Sequence, residues 1–208
     1  MAFKGFIKND FRTFTIDGLA ERMTAIKTRI QPKFKEIGDA LTDDLTAITG
    51  QDMHVHIAQH ARRTVNPPKD TWMAFCYNKR GYKQHPHFQI GLFDDHLFVW
   101  LAYIYELPNK QEMAQSFIEH ADDIKNTIPA HYVVSLDHTK KDAAPMEDLD
   151  LSKSLQRFHD VKKAEFLIGR HFKADDPLLK DGKAFLKEVL DTFETLSPIY
   201  KLSIRETI

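Results

Sequence analysis

The chain has 208 residues, 42% hydrophobic and 28% charged, proportions of an ordinary globular protein that set aside disordered and fibrous classes. Its net charge of −1 provides no overall field toward nucleic acid or anionic lipid, so any such attraction must come from a local patch. The single cysteine, Cys76, excludes an internal disulfide and a cysteine-rich metal framework and fits a reducing compartment, so a cytoplasmic location is expected.

Residues Met1 to Asp10 contain no apolar run of signal-peptide length, and the apolar stretch Leu97–Tyr105 is far shorter than the roughly 20 residues of a membrane-spanning helix. No membrane association is expected. Ile16, Leu19, Met23, Ile26 and Ile30 recur at helical spacing with Asp17 as N-cap, so a helix is predicted over 17–30 and Pro32 is expected to interrupt it. A second stripe, Phe34, Ile37, Leu41, Leu45 and Ile48, ends at Gly50, a usual helix terminator.

Aromatic and β-branched residues then predict strands over Thr71–Tyr77, Pro86–Phe93 and His96–Glu106. Asp94-Asp95 reads as a hairpin turn, which sets Phe93 opposite His96. That register places Phe88, Ile90, Leu92, Leu97, Val99, Leu101 and Tyr103 on an uncharged core face. His85, His87, Gln89 and Phe93 lie on the other face with His96, Phe98, Trp100 and Ala102, as expected of a half-buried face or a cleft wall.

Further on, Asn109 and Glu112 resemble a capping pair for a helix that Pro129 closes, and His131–Asp137 reads as a strand. A polar, acidic loop to Asp150, a short helix around Leu155 and Phe158, and a strand over Ala164–Gly169 follow. Pro177 opens a last helix expected to end before Ser197-Pro198, with a short strand over Ile199–Ile204. Without strict βαβ alternation this predicts one α+β domain over residues 1–208, mainly an antiparallel sheet against amphipathic helices.

Between His60 and His85 the chain carries Arg62, Arg63, Lys69, Lys79, Arg80 and Lys83 against one acid, Asp70. Gly81 permits a tight turn with exposed amides, so this loop is suited to a phosphate or carboxylate, although hairpin loops are also lysine-rich merely to stay solvated. Tyr82 is the candidate for stacking a flat ring, and His85, His87, Gln89 and Trp100 are candidates to face the rest of a ligand. His56 and His60 have a spacing that on a helix can chelate zinc, but no glutamate completes an HExxH pattern, and alternation there favours a strand. No metal or cofactor is assigned, and no catalytic residue.

Phosphate-loop, dinucleotide-binding, nucleophile-elbow and CxxC motifs are absent, so ATPase, dinucleotide dehydrogenase, α/β-hydrolase and thioredoxin readings lose support. Cys76, inside an apolar strand, is read as packing. The segments His60-Ala61-Arg62-Arg63-Thr64-Val65-Asn66-Pro67-Pro68 and Asn78-Lys79-Arg80-Gly81-Tyr82-Lys83-Gln84-His85-Pro86-His87-Phe88-Gln89-Ile90-Gly91, with Phe11–Leu19, resemble the YktB-like family of bacterial proteins. The resemblance implies an α+β fold and a bacterial cytoplasmic origin, and carries no cofactor or site residue. Two functions are therefore weighed: a pocket for a small anionic ligand, and, ranked second on the weak overall charge, a nucleic-acid-associated or regulatory module using the same basic loop. Contact with another protein is the bland reading of the same surface.

Overall fold

A computed structural model describes residues 3–204. The strands whose alternation is plainest in the sequence form its centre: β1 (His54–Ile57), β2 (Thr71–Cys76), β3 (His87–Leu92) and β4 (His96–Tyr103). With β5 (Val133–Ser135), β6 (Ala144–Pro145) and β7 (Phe166–Lys173) they make one antiparallel sheet in the order β1-β2-β3-β4-β7-β5-β6. The fold class is α+β.

The expected register holds. Leu92 pairs with Leu97, and the Phe93 N–H donates to the His96 carbonyl at 2.9 Å across the Asp94-Asp95 turn. The predicted core residues from Phe88 to Tyr103 are all buried in the main hydrophobic cluster, because period-two alternation sends them together toward the helices. Phe193 of the last helix closes on Phe75 and Phe88, with ring centroids 6.2 and 4.8 Å away.

Two prolines do not act as stops. After the short α1 (Lys8–Phe11), α2 (Leu19–Ala25) passes through a π-helical turn at Ile26–Ile30 into α3 (Gln31–Thr49), where the Gln31 N–H reaches the Ile26 carbonyl five residues back. The wider turn lies directly before Pro32, which lacks an N–H and would crowd the carbonyl four residues earlier in a regular helix. The Asp17 cap is not formed, since Gly18, at φ 84°, flanks the helix and makes no side-chain cap. At the other end Gly50, at φ 74°, terminates α3 as expected.

Pro198 likewise sits inside α7 (Gly182–Ile204), so the strand expected over Ile199–Ile204 is helix. Packing overrides the breaker there: Ile199, Tyr200 and Ser203 are buried, and the Tyr103 hydroxyl donates to the Ile199 carbonyl and to Ser203. The single helix expected after Asn109 divides into α4 (Lys110–Glu119) and α5 (Ala121–Thr127) at His120.

α6 (Leu151–Asp160) lies against α4, and the buried Lys110 ammonium fixes its end by donating to the carbonyls of Val161, Lys162 and Ala164 at 2.5, 3.1 and 3.2 Å. Lys110→Met keeps the stem and removes the donor from three carbonyls. It is expected to lower stability by about 2 kcal/mol in urea denaturation.

Candidate functional site

The second sheet face is also largely buried. Phe93, Phe98, Trp100, Ala102, Ile104 and Leu167 form a separate apolar cluster, with Trp72, Val133 and Ala143 packed against it. Ala143 belongs to the segment 136–143, which leaves β5 and reaches back to the Asp94-Asp95 turn, where Lys141 pairs with both carboxylates. Covered this way, the face is the wall and floor of clefts rather than an open surface.

Beside this cluster lies a polar patch. His87 donates from Nδ1 to the His85 carbonyl at 2.7 Å, so its Nε2 accepts from the Gln89 amide at 2.8 Å. Burial pushes the His87 imidazole down to about 4, which holds it neutral. Tyr82 packs between His56 and His87, with centroids 5.0 and 5.1 Å away, and accepts from the Trp72 indole at 2.7 Å. Burial raises its phenol to about 12. Tyr82 is therefore a packed, hydrogen-bonded wall and not an exposed stacking group.

The other expected residues separate into groups. His85 turns away to share a 2.7 Å hydrogen bond with the Tyr77 hydroxyl, so the two imidazoles of His85-Pro86-His87 do not act together. Trp100 is buried against Phe98 and His171. Arg62, Lys79 and Arg80 are exposed and line no cleft with Arg63 and Lys83. His56 bonds the Asn78 carbonyl and His60 bonds Thr71, each at 3.0 Å, so this pair is not a joint metal site.

Arg63 and Lys83 do converge. With Lys69, Asp70, Trp72 and His138 they line a cleft of about 810 Å³. Lys83 lies 5.6 Å from the Trp72 ring centre and 3.8 Å from Glu106, an exposed pair that leaves the ammonium free to face the cleft. Arg22 contributes to the lining but is committed to the carbonyls of Ile16 and Pro68 at 2.8 and 2.9 Å, holding the 62–70 loop down. Asp70 is 9% exposed, and no other described side chain donates a hydrogen bond to it. Burial raises its carboxyl to about 6, against the opposing pull of His138, Arg63 and Lys83.

His138 and Thr139 also line an adjoining cavity of about 710 Å³. The buried Glu165, just before β7, accepts the His138 backbone N–H at 2.7 Å, and both its oxygens lie 2.8 Å from His138 Nδ1. Since a carboxylate can only accept, Nδ1 carries a proton and donates it to Glu165. Asp137, His138 and Glu165 bring metal-capable atoms within 4.8 Å of one another. These atoms are already engaged, the imidazole with Glu165 and the Asp137 carboxylate with Thr139 and Lys140. Among the described residues, only His138 Nε2 of this group is left without a hydrogen-bond or ion-pair partner.

A family model described as a domain of unknown function, DUF1054, matches residues 6–200. The chain belongs to this family. A UPF0637 protein of Oceanobacillus iheyensis is 59% identical over 200 residues, covering 96% of this chain and 97% of the relative. One from Shouchella clausii is 56% identical over 204 residues, covering 98% and 97%, and one from Listeria monocytogenes is 48% identical over 205, covering 99% and 100%. This is the bacterial family that the segments around His60 and Asn78 resemble, and its description assigns no activity. Among the described residues of this UPF0637 chain, no helix is long and apolar enough to cross a membrane.

Lys69 and Asp70 of the cleft enter the sequence reading only as members of the charged run, and His138 and Glu165 of the adjoining cavity were not singled out. The first two stand directly before β2, where a lone acid within a basic run was itself a signal. His138 lies in the segment read only as polar and acidic, and Glu165 is 27 residues away along the chain. Only the adjacency of β5 and β7 brings those two together.

Proposed function

We propose that this UPF0637 protein binds a small anionic ligand, carrying a phosphate or carboxylate, in the cleft lined by Arg63, Lys69 and Lys83, and that it does so in the cytoplasm. The observation that carries the reading is the convergence of these three cations on one concavity whose wall is Trp72. Like charges gathered on one concavity raise the local concentration of an anion. Cys76, buried and with its thiol pushed up to about 11, suits a chain kept reduced.

Nucleic-acid binding by the same loop is the weaker reading, because it calls on Tyr82 as a free stacking group and on Lys79 and Arg80 beside it. The test is calorimetric titration with inorganic phosphate. The double variant Arg63→Glu, Lys83→Glu is expected to weaken binding at least tenfold, and Arg80→Glu to leave it unchanged. Equal affinity of the double variant and the natural protein would refute the assignment.

A further inference from the structure

We infer that the cleft is an acid–base site for hydrolysis of phosphate diesters, in which His138, oriented by Glu165, accepts a proton and Asp70 donates one. This rests on the anion-binding reading and adds chemistry to it.

The geometry begins with the buried Glu165, which takes both the backbone N–H and the Nδ1–H of His138. That fixes the tautomer and the ring, and sets Nε2 on the ring edge away from the carboxylate. Nε2 has no hydrogen-bond partner among the described residues, and His138 lines the cleft that holds the cations. An imidazole prepared in this way is suited to take a proton from water. Asp70 lines the same cleft from the loop before β2. A carboxyl raised to about 6 keeps its proton over a range where an ordinary aspartate has lost it, so it can serve as donor.

In the step proposed, water attacks phosphorus as His138 Nε2 takes one of its protons. The bond from phosphorus to the leaving oxygen breaks, its electron pair goes to that oxygen, and Asp70 supplies the proton. The proton on His138 then returns through solvent to Asp70. Arg63, Lys69 and Lys83 stabilise the charge on the non-bridging oxygens. A diester fits better than a monoester, because its attack gains more from a deprotonated nucleophile, which the dyad supplies.

The probe is bis(p-nitrophenyl) phosphate, followed by nitrophenolate release, with inorganic phosphate affinity measured in parallel for each variant. The natural protein is expected to turn the probe over, with His138→Asn at least 100-fold slower. Glu165→Gln, which alters a positioning residue, is expected to lower kcat about tenfold with KM held. Both variants should still bind phosphate. If phosphate binds but the natural protein does not turn over the probe, or His138→Asn is as fast as the natural protein, the acid–base inference fails while the binding reading stands. Loss of turnover on dialysis against EDTA would also overturn it, in favour of a metal at Asp137, His138 and Glu165. Absence of phosphate binding removes both.

Discussion

Asp70→Asn is expected to stabilise the protein by about 3 kcal/mol at pH 8 and to tighten its hold on phosphate, although it removes a group that lines the cleft. The reason is the environment of the carboxyl. Burial raises it from 3.8 to about 6, so ionising it in the fold costs about 3 kcal/mol more than in the unfolded chain. Above about pH 6 that penalty is fully present. As pH falls toward 4 the folded form takes up a proton before the unfolded form does, so the natural protein gains stability over that window. An amide of the same shape pays no such cost, so the two urea midpoints should differ at pH 8 and meet near pH 4. Midpoints that coincide at pH 8 would contradict this account of the site. The same substitution takes one negative charge from among the cations, so phosphate affinity at pH 8 should rise several-fold, while probe turnover should fall below about pH 6, where Asp70 holds its proton.

Gly169→Ala is expected to cost about 3 kcal/mol and lower Tm by roughly 6–12 °C. A Cβ at this position would stand inside the contact distance of the Val99 carbonyl oxygen and 3.0 Å from its carbon. Both atoms belong to the backbone of β4, which is paired on its other side with β3 and has no room to withdraw. Gly169 also faces Val133, so the damage reaches β5 and the segment that carries His138. Thermal denaturation of the purified variant tests the stability, and its phosphate affinity tests the link to the cleft. A variant with natural Tm would show that β4 and β7 can part without loss.

What could be read from residues alone follows from how local each determinant is. The β3–β4 pairing was legible because a two-residue turn fixes its register and alternation fixes its faces. Arg63 and Lys83 were legible as members of a basic run, since charge density survives any folding of the loop. Their separation from Arg62 and Arg80 was not, because it depends on which way each side chain leaves an irregular segment. Tyr82 looked exposed because it sits between Gly81 and Lys83, yet rings from three neighbouring strands, His56, Trp72 and His87, hold it half-buried. His138 and Glu165 carry no mutual signal in sequence, since their meeting depends on non-adjacent segments joined by a strand pairing. Pro32 and Pro198 misled for a common reason: a rule about isolated helices gives way when continuing the helix buries apolar side chains.

The π-helical turn at Ile26–Ile30 has a consequence for which chain lengths the protein can accept. One extra residue is accommodated there without changing the direction of the helix on either side. Removing a single residue from that turn should restore regular helical winding while Arg22 upstream and Phe34 downstream stay in phase with the core. A deletion elsewhere in α3 would instead rotate every following side chain by about 100°, turning Ile37, Leu41 and Leu45 away from the sheet. This helix therefore has one place where its length can be edited by a residue at small cost, and it lies close to the arginine that ties down the cleft loop.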